Sequence, residues 1–590
     1  MSESITELSE KIAALPKGCV VVKKIGGKPY CYQQYKENGR TVSRYISDER
    51  AETMRKEIEE RRTLEKKMKE LRKDSPVVPP PEFSLSAIFG PALLDMARTA
   101  SLLEKRDCFP VIRDYICSKP SDRVCLLYGL RRTGKTTLLK QLVLDMTNEE
   151  RSRTVYFKAR STDTIADLNR DIRKAAAAGF RYFLIDEITL IGDFIDNAAL
   201  LSDVYAVQGL KFVLSGTDSL GFWFARNEEL YDRTVTVHTT FIPYREHSRL
   251  LGIKSIDDYI RYGGTLKAGE NGTEDASFHD DESTRNYIYT AVARNIQHSL
   301  RCYDRGSHFR HLKTLYEKDE LTGAINRIIE DMNHDFTVEV LTRDFSSHDL
   351  GSAKDLLRRE KNPEKRTDAL DTIETEKAVE RLRTLLEIRN KDEQTVTIEE
   401  IHAKEIREYL KALDLIDTMK IDSLPSDGKR EENVIFIQPG MRFCQAGALV
   451  SALSDDGEFM KLGKRLQDII KDKILEDIMG RMLEDIVFYE TMKAEGKAKD
   501  IFKLRFASGE YDMVIYDRAS DTSELYEVKH STERSPFQKR HLMDDEKIRL
   551  TEEKFGRVTK KCVLYRGEDF TGEDGIEYRN VEEYLSSLTE

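Results

Sequence analysis

The chain has 590 residues, a net charge of -11, 39% hydrophobic and 34% charged residues. It is too long for a single core and not a polycation overall, so roughly three to five domains of about 100–200 residues are expected, with any nucleic-acid contact made through local basic patches. No apolar run reaches the roughly 18–20 residues of a membrane span; the amphipathic N-terminus lacks a signal peptide's apolar centre, and the scattered cysteines form no C-x-x-C pair, which fits a reduced cytoplasm.

Residues 1–75 read as a basic β meander and a long helix. Gly26-Gly27 and Asn38-Gly39 are turn signals between short alternating runs over 17–46. That stretch holds Lys17, Lys23, Lys24, Lys28, Lys36, Arg40 and Arg44 against one acid, Glu37, with Tyr30, Tyr32, Tyr35 and Tyr45 interleaved. Such residues can pair with phosphates and stack on bases, and tyrosines can equally pack a small sheet. A polar helix over 48–73 follows, with Ala51, Met54, Ile58, Met68 and Leu71 near heptad spacing. Residues 76–84 form a stiff, Pro-rich linker.

From 85 to 250, apolar runs at 124–128, 154–158, 181–186, 211–215 and 234–238 alternate with helical stretches. That alternation predicts a parallel sheet with helices on both faces. Residues 251–395 read as helical, with a polar loop near 267–283. Residues 396–458 read as a winged helix: Ile398, Ile401, Ile406, Leu410 and Leu413 give a helical face, and a charged turn leads to the strand VIFIQ. Residues 459–590 open with helices and turn to strands near 501. Cys302, His308 and His311 lack a fourth ligand at zinc spacing and read as surface and helix residues.

GLRRTGKT, from Gly129 to Thr136, fits the phosphate-loop pattern G-x-x-x-x-G-K-[ST], with the strand VCLLY before it and a helix after it. Glycines let backbone N–H groups face phosphates, and the helix N-terminus adds positive potential. Lys135 can neutralise phosphate oxygens, and the Thr136 hydroxyl can ligate Mg²⁺. Nucleotide contacts are expected from Gly129, Arg132, Thr133, Gly134, Lys135, Thr136 and Thr137. The strand YFLIDE supplies Asp186 for the Mg²⁺ shell and Glu187 as general base. Thr217, after KFVLS, can sense the γ-phosphate or cap a turn; Arg233 can serve as an arginine finger or as a surface residue.

GLRRTGKTTLL, FLIDEI, SGTDS, FIPYREHSRLL and IRYGGTL together resemble a prokaryotic AAA-class ATPase family. The resemblance covers about residues 85–590. It implies ATP as the nucleotide, a winged helix, and a C-terminal restriction-endonuclease-like domain. The Gln that often follows the acidic pair in that family is replaced by Ile188-Thr189.

Asp512 in GEYDMVIYD and Glu527 and Lys529 in ELYEVKHS form a D…E-x-K arrangement that resembles the PD-(D/E)XK nucleases. In a hairpin, Asp512 and Glu527 can share one Mg²⁺, and Lys529 can orient a water. Glu484 matches the acid such folds place on their first helix. The same pattern also occurs as a salt-bridged strand face, and Gln538 lacks the tyrosine of a Q-x-x-x-Y helix, so a domain that binds DNA without cutting stays open. The expected whole is a multidomain α/β protein in which ATP gates a Mg²⁺-dependent DNA nuclease, in defence or mobile-element biology. The alternative is a nucleotide switch or scaffold with a non-cutting C-terminal domain. Oligomerisation is expected if Arg233 acts on a neighbouring copy.

Overall fold

The structure, a computed structural model, describes residues 11–589 apart from 13, 26–27, 38–39, 75–81, 218–220, 223–224, 227–229, 268–276, 303–309, 344–397, 425–430, 456, 458 and 462. Both glycine turns of the meander, most of the Pro-rich linker, most of the polar loop, much of the charged turn, Asp218 and His308 therefore lie outside the described residues. Two units are resolved, Met1–Glu82 and Phe83–Glu590.

In the N-terminal unit, β1 (Cys19–Ile25), β2 (Lys28–Glu37) and β3 (Arg40–Ile46) pair antiparallel in sequence order. The helix Asp48–Asp74 follows. Val20, Cys31 and Ile46 meet Ala51, Met54 and Ile58 in a small core. Period-two alternation in the strands and helical spacing each present one apolar face, and those faces meet.

The second unit begins with a six-stranded sheet: β4 (Ser86–Phe89), β5 (Val124–Tyr128), β6 (Thr154–Lys158), β7 (Tyr182–Asp186), β8 (Lys211–Gly216) and β9 (Thr234–His238). Their order is β4-β6-β7-β8-β5-β9, all parallel except β4 against β6. The five apolar runs of the sequence are the five parallel strands. Leu126, Phe157, Ile185 and Leu214 pack on one face with the helix Ile165–Ala177. Cys125, Leu127, Leu184 and Val213 pack on the other with Gly90–Arg98, Phe109–Cys117 and Lys135–Asp145. Continuous apolar strands are what a sheet covered on both sides requires.

Helices Ile256–Tyr262, Asp281–Tyr287, Arg310–Glu317 and Leu321–Arg343 occupy the described part of the middle region. The helix Glu400–Ala412 buries Ile406 and Leu410, and Leu413 just beyond it is buried as well, whereas Ile401 is exposed. It leads into a hairpin of β10 (Ile416–Leu424) and β11 (Glu431–Phe436). That hairpin does not stand apart. β10 pairs in parallel with β12 (Asp500–Phe506), from Ile421↔Lys503 to Leu424↔Phe506.

The result is one eight-stranded sheet, β11-β10-β12-β13-β14-β15-β17-β16, with β13 (Glu510–Asp517), β14 (Thr522–Val528), β15 (Arg557–Tyr565), β16 (Phe570–Thr571) and β17 (Glu577–Asn580). The expected boundaries at 250, 395 and 458 all fall inside the second unit, and the sheet crosses the last of them. The helix Lys464–Glu495 covers one face through Ile474, Ile478 and Leu483, against Met513 and Tyr526. Phe555, at the end of the helix Asp545–Phe555, packs on the other face with Phe502, Val514 and Val563. Among the described residues, no helix is long and apolar enough to cross a membrane.

Candidate functional site

The phosphate loop leaves the C-terminal end of β5 and enters the helix Lys135–Asp145. Gly129 has φ +149, and a Cβ there would lie 2.5 Å from Thr239 Oγ1. Gly134, the N-cap, has φ +89, a left-handed value that glycine adopts without strain. Lys135 is buried, and its ammonium donates to the carbonyls of Gly129 and Leu130, each at 2.7 Å. Burial pulls its pKa down to about 8, against the upward pull of Glu187 and Asp186. An ammonium held this way is short of water and favours an anion.

Asp186 ends β7 and is 1% exposed. Its carboxylate accepts from Thr136 Oγ1 at 3.2 Å, Tyr156 Oη at 2.8 Å, Lys158 Nζ at 2.7 Å and the Ser215 hydroxyl. Burial alone would raise this carboxyl; the bonds from Lys158, Ser215 and Tyr156 outweigh it and hold the group below the ordinary carboxylate range. A hydroxyl beside an ionised carboxylate is the oxygen pair that a hard cation takes, so Thr136 and Asp186 fit Mg²⁺. Glu187 follows at φ 60, ψ 38, a left-handed conformation uncommon outside glycine. Its Oε2 accepts from Thr217 N at 3.2 Å and Thr217 Oγ1 at 3.1 Å, while Asn295 Nδ2 holds the Thr217 carbonyl at 2.8 Å. Thr217 is thus bound to the acid expected to act as base.

A buried pair that the sequence reading missed supports the loop from behind. Arg106 and Glu246 are 5% and 2% exposed and meet in two bonds, 3.0 and 2.8 Å. Arg106 also donates to the carbonyls of Thr133 (2.9 Å), Thr239 (2.7 Å) and Phe241 (2.8 Å). The PYRE segment therefore owes its Glu to a clamp on the phosphate loop. The next residue, His247, is buried against the Tyr259 ring with its Nδ1 unpartnered. Burial lowers its pKa to about 4. A folded value below the unfolded one gives stability that is complete above about pH 6.5 and is lost as pH falls toward 4. The unfolding free energy from urea titrations is expected to drop over that window, by up to about 1.4 kcal/mol per pH unit from this group, and His247→Gln should flatten that part of the profile. An unchanged slope in the variant would refute the assignment.

Arg233 lies apart from the other expected nucleotide contacts. It precedes β9, whose first residue Thr234 is level with Val124 at the start of β5. The phosphate loop lies at the other end of that strand, about 15–17 Å away. Arg233 pairs there with Asp203. It cannot reach its own chain's phosphate site, and a finger role requires a second copy. The parallel order already implied this, because residues before and after parallel strands gather at opposite ends of a sheet. Arg132 sits in the loop at φ 63 but donates to Ser277 Oγ at 2.9 Å. Thr137 lies in the first turn of the helix that follows.

The C-terminal residues also come together. Met513 pairs with Tyr526 across the hairpin, which sets Asp512 of β13 near Glu527 of β14. Lys529 Nζ lies 2.9 Å from Asp512 Oδ2 and 2.8 Å from Glu527 Oε2. Val528 N donates to Asp512 Oδ2 at 2.8 Å. Burial would raise the Asp512 carboxyl, but Lys529 and Lys503 hold it low. Glu527 is shifted the other way: burial, reinforced by Asp512, outweighs Lys529 and raises it. Its Oε1 is buried and unpartnered. Glu484 joins through Lys503, a 1%-exposed lysine that contacts Glu484 at 3.1 Å, Glu510 at 2.8 Å and Asp512 at 3.8 Å. A lysine inside the apolar strand IFKLRF was the signal for it. The cluster floors a cleft of about 1050 Å³ whose walls include Lys473, Arg481, Arg505, Gln538, Arg540 and His541. Gln538 caps its own turn, accepting from Ser535 N at 2.9 Å. Away from both sites, His311 Nδ1 lies 2.6 Å from Glu405.

Residues 121–247 match the AAA domain family, and residues 1–56 match a domain of unknown function. No curated protein matches the chain. Among solved structures, it is similar to the Orc1 protein of Aeropyrum pernix, determined in complex with DNA, at 14% identity over 63% of this chain and 94% of that one, with a TM-score of 0.20.

Proposed function

We propose that the chain is an AAA-type ATPase whose C-terminal domain, residues 459–590, is a Mg²⁺-dependent nuclease-like domain acting on DNA. The ATPase half rests on the match over 121–247 and on the loop, Thr136–Asp186 and Glu187–Thr217 geometry. The single observation that carries the nuclease half is the convergence of Asp512, Glu527 and Lys529 beside an unpartnered Glu527 oxygen. The order of helix, three antiparallel strands, helix and a further strand parallel to the third supports the resemblance to restriction endonucleases.

Two carboxylates, one of them with a free oxygen, are donors suited to a hard divalent cation, so Asp512 and Glu527 are the expected ligands. When bound there, Mg²⁺ supplies charge neutralisation at a phosphate and a water of lowered pKa. Lys529 then releases its hold on the carboxylates and orients the attacking water. Arg481, Arg505 and Arg540 attract the phosphodiester along the cleft wall.

A second reading, a nucleotide switch whose C-terminal domain binds without cutting, draws on two observations. Lys529 already bridges both carboxylates, and among the described residues no three His, Cys, Asp or Glu side chains are grouped to hold a metal. The deciding experiment incubates the protein with circular, linear and single-stranded DNA, Mg²⁺ and ATP. Cleavage that EDTA stops and Asp512→Ala abolishes, with ATP turnover retained, is the expected result. Equal cleavage by Asp512→Ala would overturn the assignment of the site, and no cleavage of any DNA would leave the non-cutting switch.

A further inference from the structure

We infer that the open face of the N-terminal three-stranded sheet is a platform for single-stranded nucleic acid. The strand register decides which side chains share that face. Lys23 is level with Tyr30, Val21 with Tyr32, Tyr32 with Tyr45, and Gln34 with Ser43. Level residues point the same way, and so do residues two apart along a strand. Lys23, Lys28, Tyr30, Tyr32, Gln34 and Tyr45 therefore lie together. The opposite face belongs to the helix Asp48–Asp74, because Val20, Cys31 and Ile46 pack there on Ala51, Met54 and Ile58.

The tyrosines are not the core of this unit. Tyr45 is 59% exposed, and its ring meets Tyr30 at 6.2 Å and Tyr32 at 5.8 Å, edge to face in both cases. Lys23 Nζ stands 5.1 Å from the Tyr32 ring centre. The surrounding segment, 17–46, has seven basic residues and one acid within a chain of net charge -11. Local positive charge against an acidic background selects a polyanion. Aromatic faces among the cations select one whose flat rings are accessible.

A single strand meets both conditions, whereas a duplex offers phosphates but keeps its base faces stacked. Tyr30 and Tyr32 are about 7 Å apart along β2. That is twice the roughly 3.4 Å rise of stacked bases, so an extended, unstacked strand suits them, one base to each ring.

The test uses the full chain in EDTA without nucleotide, so that chemistry at the C-terminal cleft does not enter. Fluorescence anisotropy reads binding of one labelled sequence as a single strand and as a duplex. Tyr45→Ala is expected to weaken single-strand binding about 10-fold, within the range for loss of one stacked base. Tyr45→Phe keeps the ring and should stay within about 2-fold of wild type by the same stacking argument. Replacing Lys23 and Lys28 by Ala should lower the slope of log K against log salt by about 1.4, or about 0.7 per phosphate contact. Duplex binding should change by less than about 3-fold in Tyr45→Ala, since no base face is stacked. The proposal is overturned if Tyr45→Ala binds like wild type, if Tyr45→Phe is as damaging as Ala, or if the duplex suffers the same loss. Displacement by polyglutamate as effective as by the oligonucleotide would assign the face to an acidic protein instead.

Discussion

Glu187→Gln is expected to slow ATP turnover by about 10²–10⁴-fold, the range for loss of a positioned general base, with nucleotide affinity nearly unchanged. The geometry separates these two effects. Binding draws on the loop amides, on Lys135 and on the Thr136–Asp186 pair; Glu187 only adds to the pull that keeps Lys135 charged, which Asp186 and the bound phosphates also supply. Glu187 stands one residue beyond Asp186 in a left-handed backbone that turns its carboxylate away from the strand axis and onto Thr217. A left-handed non-glycine residue is disfavoured by about 1–2 kcal/mol, and the fold retains one at this carboxylate. The glutamine isostere keeps the size and a bond to Thr217 and loses only the basic oxygen. Steady-state phosphate release and equilibrium binding of a fluorescent ATP analogue measure the two quantities. Turnover within a few-fold of wild type would remove Glu187 from the role of base.

Glu246→Ala is expected to destabilise the second unit by about 3–5 kcal/mol, since it strands a buried guanidinium without its carboxylate. Arg106 would keep its three carbonyl partners, which satisfy hydrogen bonds but not charge. The damage should spread to nucleotide affinity, because one of those carbonyls belongs to Thr133 in the phosphate loop. Replacing both members together, Arg106→Met with Glu246→Leu, should recover much of the stability, as well-packed apolar substitutes for buried ion pairs commonly do. It should not recover affinity, because the link to Thr133 is gone. Urea unfolding of the two variants checks this; a loss below about 1 kcal/mol in Glu246→Ala would mean that the charge is compensated elsewhere.

Features carried by short stretches of chain were legible in the sequence. The five parallel strands are apolar runs between turns, and the phosphate loop is a contiguous motif. Asp186 and Glu187 end one of those runs, and E-x-K alternates on one strand. Features formed by distant residues were not legible. Arg106 and Glu246 are 140 residues apart, and neither looks unusual beside its neighbours. The partners of Asp186 come from two other strands and a helix: Tyr156 and Lys158 from β6, Ser215 from β8 and Thr136 from the helix Lys135–Asp145. Strand character was read at VIFIQ and near 501 but not at β10, and it cannot say which strands lie side by side, so the sheet that joins the 396–458 segment to the C-terminal strands was read as a boundary. Which copy's phosphate Arg233 could reach was left open, although its place before a parallel strand sets it at the far end of the sheet.

The parallel contact of β10 with β12 also sets an order of events for a chain growing on a ribosome. β10 and β11 emerge first and can close their hairpin at once. The inner edge of β10 then waits for the helix Lys464–Glu495 and the start of β12 at Asp500 to follow. Non-local pairings of this kind form slowly, and an unpaired edge invites the wrong strand in the meantime. Synthesis thus builds this sheet from its rim inward, and a polypeptide released before Asp500 carries the rim without Asp512 or Glu527.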